Sequence, residues 1–392
     1  MREQDGVPAV PFDAAERPSV EENHVAQWRQ AVGRRSFLKS MGVAGAIAVP
    51  GSALLASRAK AASRAITGGD VAILRFLAAA ELIEADLWQQ YDELGGVNGG
   101  NPAYMAALTN IDGDMPTYVH LNNNDEQSHA AFLNAYLKSK GAEPVNLDAF
   151  RTLPSSKATG AKQIGRLTSL TALDVDTSWY TRYRSGHNPD FGAHFPQAFT
   201  IRKQPAIPIS DADTPPNMDA PLPPTTPAQS RMQVIACTAA FHFAYIEQGG
   251  SSLYSTLAEK VTNLEVLRIV SSIGPAEAMH FATWQDDAGN AANAPVAPVT
   301  DPVTGLTIPN LHADPRGALV QTNLIFPTPC EFITSHLPHC AIVRPTLDRN
   351  GGAVATIKSF TADRLFEGQS ARFFTTVMEL ARKADAAGRR TG

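Results

Sequence analysis

The pattern Glu-x-x-His occurs twice in the interior of this chain, as Glu126-Gln-Ser-His129 and as Glu277-Ala-Met-His280. On a helix, residues three apart project from one face, so each copy presents a carboxylate and an imidazole side by side. A single copy says little. Two copies, each preceded by a long apolar helix carrying a glutamate on its apolar stripe, restrict the fold strongly, because four helices must then bring all these groups to one place.

Those partner helices can be read directly. From Asp70 to about Leu94, Val71, Leu74, Leu77, Ala78, Leu82, Ala85 and Trp88 recur at helical spacing, and Glu81 lies on the same stripe. A charge there is costly unless paired. Glu84, one turn later, reaches the same space. A second helix is expected from about Met115 to Lys140, bearing Glu126 and His129, and ends at Gly141 and Pro144. A third, from about Ala228 to Val261, is apolar almost throughout and contains Glu247. The fourth, from about Leu264 to Asp287, carries Glu277 and His280, with Gly274-Pro275 expected to kink or restart it. With a rise of about 1.5 Å per residue, Glu81, Glu126, Glu247 and Glu277 all fall roughly 20 Å from the connected ends of their helices, hence at one level in two antiparallel hairpins. The halves also echo each other locally. Glu81 is followed after five residues by Leu87-Trp88, and Glu247 by Leu253-Tyr254. This echo favours Glu81 over Glu84 as the counterpart of Glu247.

A glutamate on one helix and Glu-x-x-His on the next, then the same again, resembles the ferritin-like family of carboxylate-bridged di-metal four-helix bundles. The resemblance implies a mostly α fold and a metal set of Glu81, Glu126, His129, Glu247, Glu277 and His280. In it, Glu126 and Glu277 bridge or chelate, and each histidine binds one ion. Four carboxylates balance two divalent cations, and without metal they would repel one another or stay protonated. Oxygen and imidazole donors suit two iron or two manganese ions equally. Asp125 is placed either to accept from a ligand histidine or to lie on exposed helix surface. Gly249-Gly250 serves either close helix packing or space for a small oxidant.

The bundle accounts for residues 66–290, with a long irregular insertion at about 145–226 between the second and third helices. Residues 205–227 contain eight prolines, which excludes a regular helix there. The C-terminal extension, 291–392, is expected to pack on the bundle. It holds a weakly alternating segment, Ala353–Phe360, read as a short strand or extended pass, and a helix over Ala371–Ala387.

Residues 1–65 read as an address. Arg34-Arg35-Ser-Phe-Leu-Lys39, then a Gly/Ala-rich apolar run broken by Pro50-Gly51, then Ala59-Lys60-Ala61, resemble a twin-arginine export signal with a cleavage site. The run is too short to span a bilayer stably. It implies the twin-arginine translocase as partner during export, and a periplasmic or secreted destination. Together with the bundle, the leader resembles exported ferritin-like proteins related to plant desiccation-related and fungal stress-response proteins. Net charge is −5 overall and −7 after residues 1–61 are removed, which argues against nucleic acid and anionic membrane surfaces. With three cysteines and no Cys-x-x-Cys, iron–sulfur and thiolate-zinc sites are excluded. Cys330 and Cys340 are spaced for a disulfide in an oxidising compartment, Cys237 reads as buried, and His336-x-x-His339-Cys340 reads as a loop rather than a second metal site.

Two functions follow as expectations. The first is redox chemistry on dioxygen, peroxide or ferrous iron at the di-metal site. The second is a non-catalytic structural or binding role in the cell envelope, with the bundle as scaffold. The long insertion departs from compact cage-forming ferritins, and the missing cysteine-held iron departs from rubrerythrins, so any redox cycle needs an outside reductant.

Overall fold

The computed structural model describes residues 66–183, 196–213, 228–313, 327, 329–330, 333–341 and 352–388. The leader with Arg34-Arg35 lies outside them. Four long helices carry the core: α1 (Gly68–Gly95), α3 (Met115–Ser139), α5 (Arg231–Ala258) and α6 (Leu264–Ala291), with a short α2 (Pro102–Thr109) in the first hairpin and α4 (Ser178–Tyr183) in the connection that follows α3. Each start has a local cause. Thr67 caps α1 in a capping box with Asp70, and Ser230 and Asn263 cap α5 and α6 through backbone N–H groups of the first turn. Asp70 also accepts from Thr262, which ties the start of α1 to the α5–α6 turn.

Cross-contacts fix the order of helices around the bundle. Asp92 of α1 meets His120 and Asn123 of α3. Trp88 of α1 packs on Phe243 of α5, Gly274 of α6 on Tyr254 of α5, and Trp284 of α6 donates to Asn122 of α3. In each adjacent pair, residue numbers rise on one helix as they fall on the other, so neighbours are antiparallel. It follows that α3 and α5, on a diagonal, run parallel. The chain must therefore return along the whole bundle between them, a distance of about 37 Å for a helix the length of α3, which extended chain covers in about 12 residues. The long insertion is this crossover, with length to spare.

The surplus is docked. Asp86 on the outer side of α1 is buried and accepts from the backbone N–H groups of Leu167 and Thr168, from the Thr168 hydroxyl, from Gln90 and, at 2.6 Å, from Arg151. Arg166 is buried against Glu93, and Tyr104 donates to the Ala206 carbonyl. A small sheet, β1 (Ala228–Gln229) parallel to β2 (Val299–Thr300) and β2 antiparallel to β3 (Thr307–Ile308), joins the entry of α5 to the exit of α6. With the crossover and sheet over it, α5 is buried almost all round, as its uniformly apolar sequence requires.

The extension closes over α1. α8 (Ala371–Asp385) places Phe373, Val377, Ala381 and Ala384 in the core. Leu365 and Asp363 accept backbone hydrogen bonds from Ser169 and Asp174 of the crossover. Ala353–Ala362 is helical (α7), not a strand. Its weak alternation is overridden by packing of Ala353, Thr356, Ile357 and Phe360 on one helical face, and by Asp385 accepting from the N–H groups of Ala353 and Val354. α6 runs unbroken through Pro275, so the expected restart does not occur. Cys330 is buried, Cys340 exposed, and both are free thiols, so the disulfide expected between them is not formed. Cys237 is buried, and its thiol is pushed up to about 12 by that burial. No described helix is long and apolar enough to cross a membrane.

Candidate metal centre

All six residues read from the sequence converge at one level of the bundle. They form two overlapping groups. Glu81, Glu126, His129 and Glu277 place one donor atom each within 4.8 Å of one another, and Glu126, Glu247, Glu277 and His280 do the same. Donors about 2.0–2.2 Å from a shared ion stand up to about 4.4 Å apart, so each group, within 4.8 Å, needs a contraction of no more than a few tenths of an ångström to close on one ion. Glu126 and Glu277 belong to both. Glu126 turns Oε2 to His129 Nδ1 at 3.3 Å and Oε1 to His280 Nδ1 at 3.1 Å, so its two oxygens face opposite halves of the centre. His129 Nδ1 is also 3.4 Å from Glu81 Oε2 and 3.2 Å from Glu277 Oε1, and His280 Nδ1 is 3.3 Å from Glu247 Oε2. Glu84 is buried one turn from Glu81 and feels the charge of the same carboxylates, but it belongs to neither group.

A surrounding layer holds the donors in place. Asn122, one turn before Glu126, donates to Glu126 Oε1 at 2.8 Å and to Glu247 Oε1 at 3.0 Å, and its own oxygen accepts from Trp284 Nε1 at 2.7 Å. Asp125 Oδ2 stands 3.1 Å from His280 Nε2. It thereby directs Nδ1 inward, the usual arrangement for a ligand histidine. Tyr254 donates to Glu81. Gly250 on α5 faces Glu277, and a Cβ there would stand 2.7 Å from Glu277 Oε2. Its role is to make room for a carboxylate. Of these, only Asp125 and the glycine pair were marked in the sequence. Asn122 sits at helical spacing before Glu126, and Tyr254 occupies the echo of Trp88, but neither position by itself signals a contact with the site.

The electrostatics are those of acceptors gathered without enough protons. Burial, then the charge of Glu247, raises the Glu126 carboxyl to about 7 despite hydrogen bonds from both histidines. Burial and neighbouring carboxylates push Glu277 and Glu84 well above the ordinary range. Burial alone would lower His129 and His280, but the surrounding carboxylates outweigh it and hold both far above an ordinary histidine. Neither oxygen of Glu277, nor Oε2 of Glu81, accepts a well-formed hydrogen bond, although His129 Nδ1 lies nearby. One imidazole N–H cannot satisfy three carboxylates at once, whereas a cation can. The donor set thus fits hard divalent ions. Among the described residues these are the only groups of this kind, and exposed His336, His339 and Cys340 form none.

A four-helix bundle with one crossover and Glu, Glu-x-x-His, Glu, Glu-x-x-His at its centre defines a ferritin-like protein of the carboxylate type. The family model described as the ferritin-like domain matches residues 69–290, more than half the chain, and the chain belongs to that family. No curated protein and no solved structure matches it.

Proposed function

We propose that this is an exported di-metal carboxylate protein that holds two iron or manganese ions and performs redox chemistry on dioxygen, peroxide or ferrous iron in stress protection. The observation that carries this reading is the pair of four-residue groups sharing Glu126 and Glu277. Glu81 and His129 would complete one ion's shell, Glu247 and His280 the other's. When bound, such ions supply one-electron steps at two adjoining centres. The protein supplies the rest. Asn122 fixes two carboxylates, Asp125 fixes the His280 ring, Tyr254 holds Glu81, and burial keeps bulk water from the acidic core. The Arg34-Arg35 leader supports export of the folded, loaded domain to the periplasm or beyond, and substituting both arginines by lysine should block it.

The test is metal analysis of natively exported protein, followed by dioxygen and peroxide turnover, for wild type and Glu126→Ala. Removing a residue common to both groups should lose both ions and all turnover. Exported wild type without metal would end the proposal. Complete burial of the four carboxylates favours a second reading, in which the ions only brace the helices; metal present and stability lost on substitution, with no turnover in wild type, would select it.

A further inference from the structure

Below the acidic centre, the interior of the bundle is a line of aromatic rings. Trp284 is joined to the centre through Asn122, whose amide donates to Glu126 and Glu247. The Trp284 ring stacks on Trp88 with centroids 5.2 Å apart, and Trp88 lies 5.7 Å from Tyr91. The Tyr91 hydroxyl is 2.8 Å from Nδ1 of His242. All four side chains are buried, and the Trp88 indole N–H and His242 Nε2 have no hydrogen-bond partner.

We propose that Trp284, Trp88 and Tyr91 form a one-electron relay from the metal centre, and that the Tyr91–His242 pair is where the oxidising equivalent comes to rest. The inference rests on the redox reading of the centre, with dioxygen or a peroxide as the oxidant that charges it. With oxidised ions held by the two groups, one electron would pass from Tyr91 through Trp88 and Trp284 to them, lowering their summed oxidation state by one. The Tyr91 O–H bond breaks and its proton moves to Nδ1 of His242. A neutral tyrosyl radical and an imidazolium remain, so charge and atoms balance.

The partners decide where the equivalent stops. An oxidised indole is stabilised by losing its N–H proton, and Trp88 has no acceptor to take it, so oxidation moves on. Tyr91 has an acceptor within hydrogen-bond distance. Burial drives His242 down to about 3, so the imidazole is neutral before oxidation and takes the proton across the 2.8 Å contact only because the oxidised phenol is a far stronger acid than the imidazolium. The ring of Tyr245, 6.3 Å from that of His242, extends the line towards Ser359 of α7.

The relay can be tested without relying on the metal. The purified full chain, as isolated and again after chelation, is oxidised by a photo-excited ruthenium polypyridyl with an irreversible electron acceptor. Radicals are followed by transient absorption and by EPR of freeze-quenched samples. Wild type should give a long-lived neutral tyrosyl signal. Tyr91→Phe, which keeps the ring, should lose that signal and leave an indole radical. His242→Phe should shorten the tyrosyl lifetime at least about tenfold, since it removes a hydrogen bond to a charged group. Circular dichroism and thermal midpoints check that both variants fold, and Tyr91→Phe decides alone if His242→Phe does not. An unchanged tyrosyl signal in Tyr91→Phe, or an unchanged lifetime in folded His242→Phe, overturns the relay. Neither result bears on whether the centre binds metal, which metal analysis answers separately.

Discussion

Gly250→Ala separates the needs of the centre from those of the helix. A Cβ at this position would lie 2.7 Å from Glu277 Oε2, where a relaxed carbon–oxygen contact needs about 3.3 Å, so the carboxylate must retreat by about 0.6 Å. Ligand distances tolerate about 0.2 Å. Displacing a ligand's support commonly lowers metal affinity about 10–100-fold, roughly 1.4–2.8 kcal/mol per ion. Glu277 belongs to both groups, so the two sites together should lose about 3–6 kcal/mol of metal-dependent stabilisation. The metal-free protein should respond the other way. There the buried Glu277 carboxylate has no well-formed hydrogen bond to lose when it shifts, while alanine favours the middle of α5 by about 1 kcal/mol, which for a domain of this size raises the midpoint by about 2 °C. Thermal unfolding of both proteins, with and without saturating Mn(II), measures both quantities. If the variant gains as much from metal as wild type does, Glu277 is not a shared ligand.

Asp86→Ala should cost about 3–5 kcal/mol in urea unfolding, because it strips the crossover of its buried anchor and leaves Arg151 and two backbone N–H groups without their acceptor; a loss below about 1 kcal/mol would refute that role. Asn122→Leu should lower metal affinity about 10–100-fold by isothermal titration while leaving the fold intact, and unchanged affinity would show that Asn122 does not orient Glu126 and Glu247. Metal-free stability should fall as pH rises. Glu126, Glu277 and Glu84 titrate above their ordinary 4.5 in the folded chain and both histidines above 6.5, so the folded state holds more protons. The glutamates' contribution is full below pH 4.5 and declines as pH rises, through about 7 for Glu126, while the histidines' is full below 6.5 and declines only above it. Buried His242, lowered to about 3, opposes this with a single group below 6.5, and depressed Asp70 and Asp301 lose theirs only below about 3.8. Urea midpoints of chelated protein that rise between pH 5 and 7 would contradict this.

The helices and six central residues were legible because apolar spacing and Glu-x-x-His are local signals, and because equal heights along antiparallel helices convert sequence distance into proximity. The spatial order of the helices was not legible. It depends on contacts such as Asn122 with Trp284, which join residues 162 apart. Tyr254 and Asn122 escaped for the same reason, since each is an ordinary helical residue until its partner is known. Ala353–Phe360 misled because eight residues of weak pattern carry less energy than the face they bury against α8 and the bundle. Of the two outcomes expected at Pro275, the restart does not occur, because the packing of a 28-residue helix on two neighbours outweighs a proline's local cost of about 3 kcal/mol.

The crossover has a consequence for the order of events in assembly. Glu81, Glu126 and His129 are made early in synthesis, but Glu247, Glu277 and His280 arrive only after a connection that must cross the bundle and dock through Asp86 and Glu93. The first hairpin alone offers one incomplete set of donors, and neither group closes without Glu277. Retained metal would then certify that the last long helix is in place. If the chain is exported folded, as proposed above, the centre would double as a seal on the finished product.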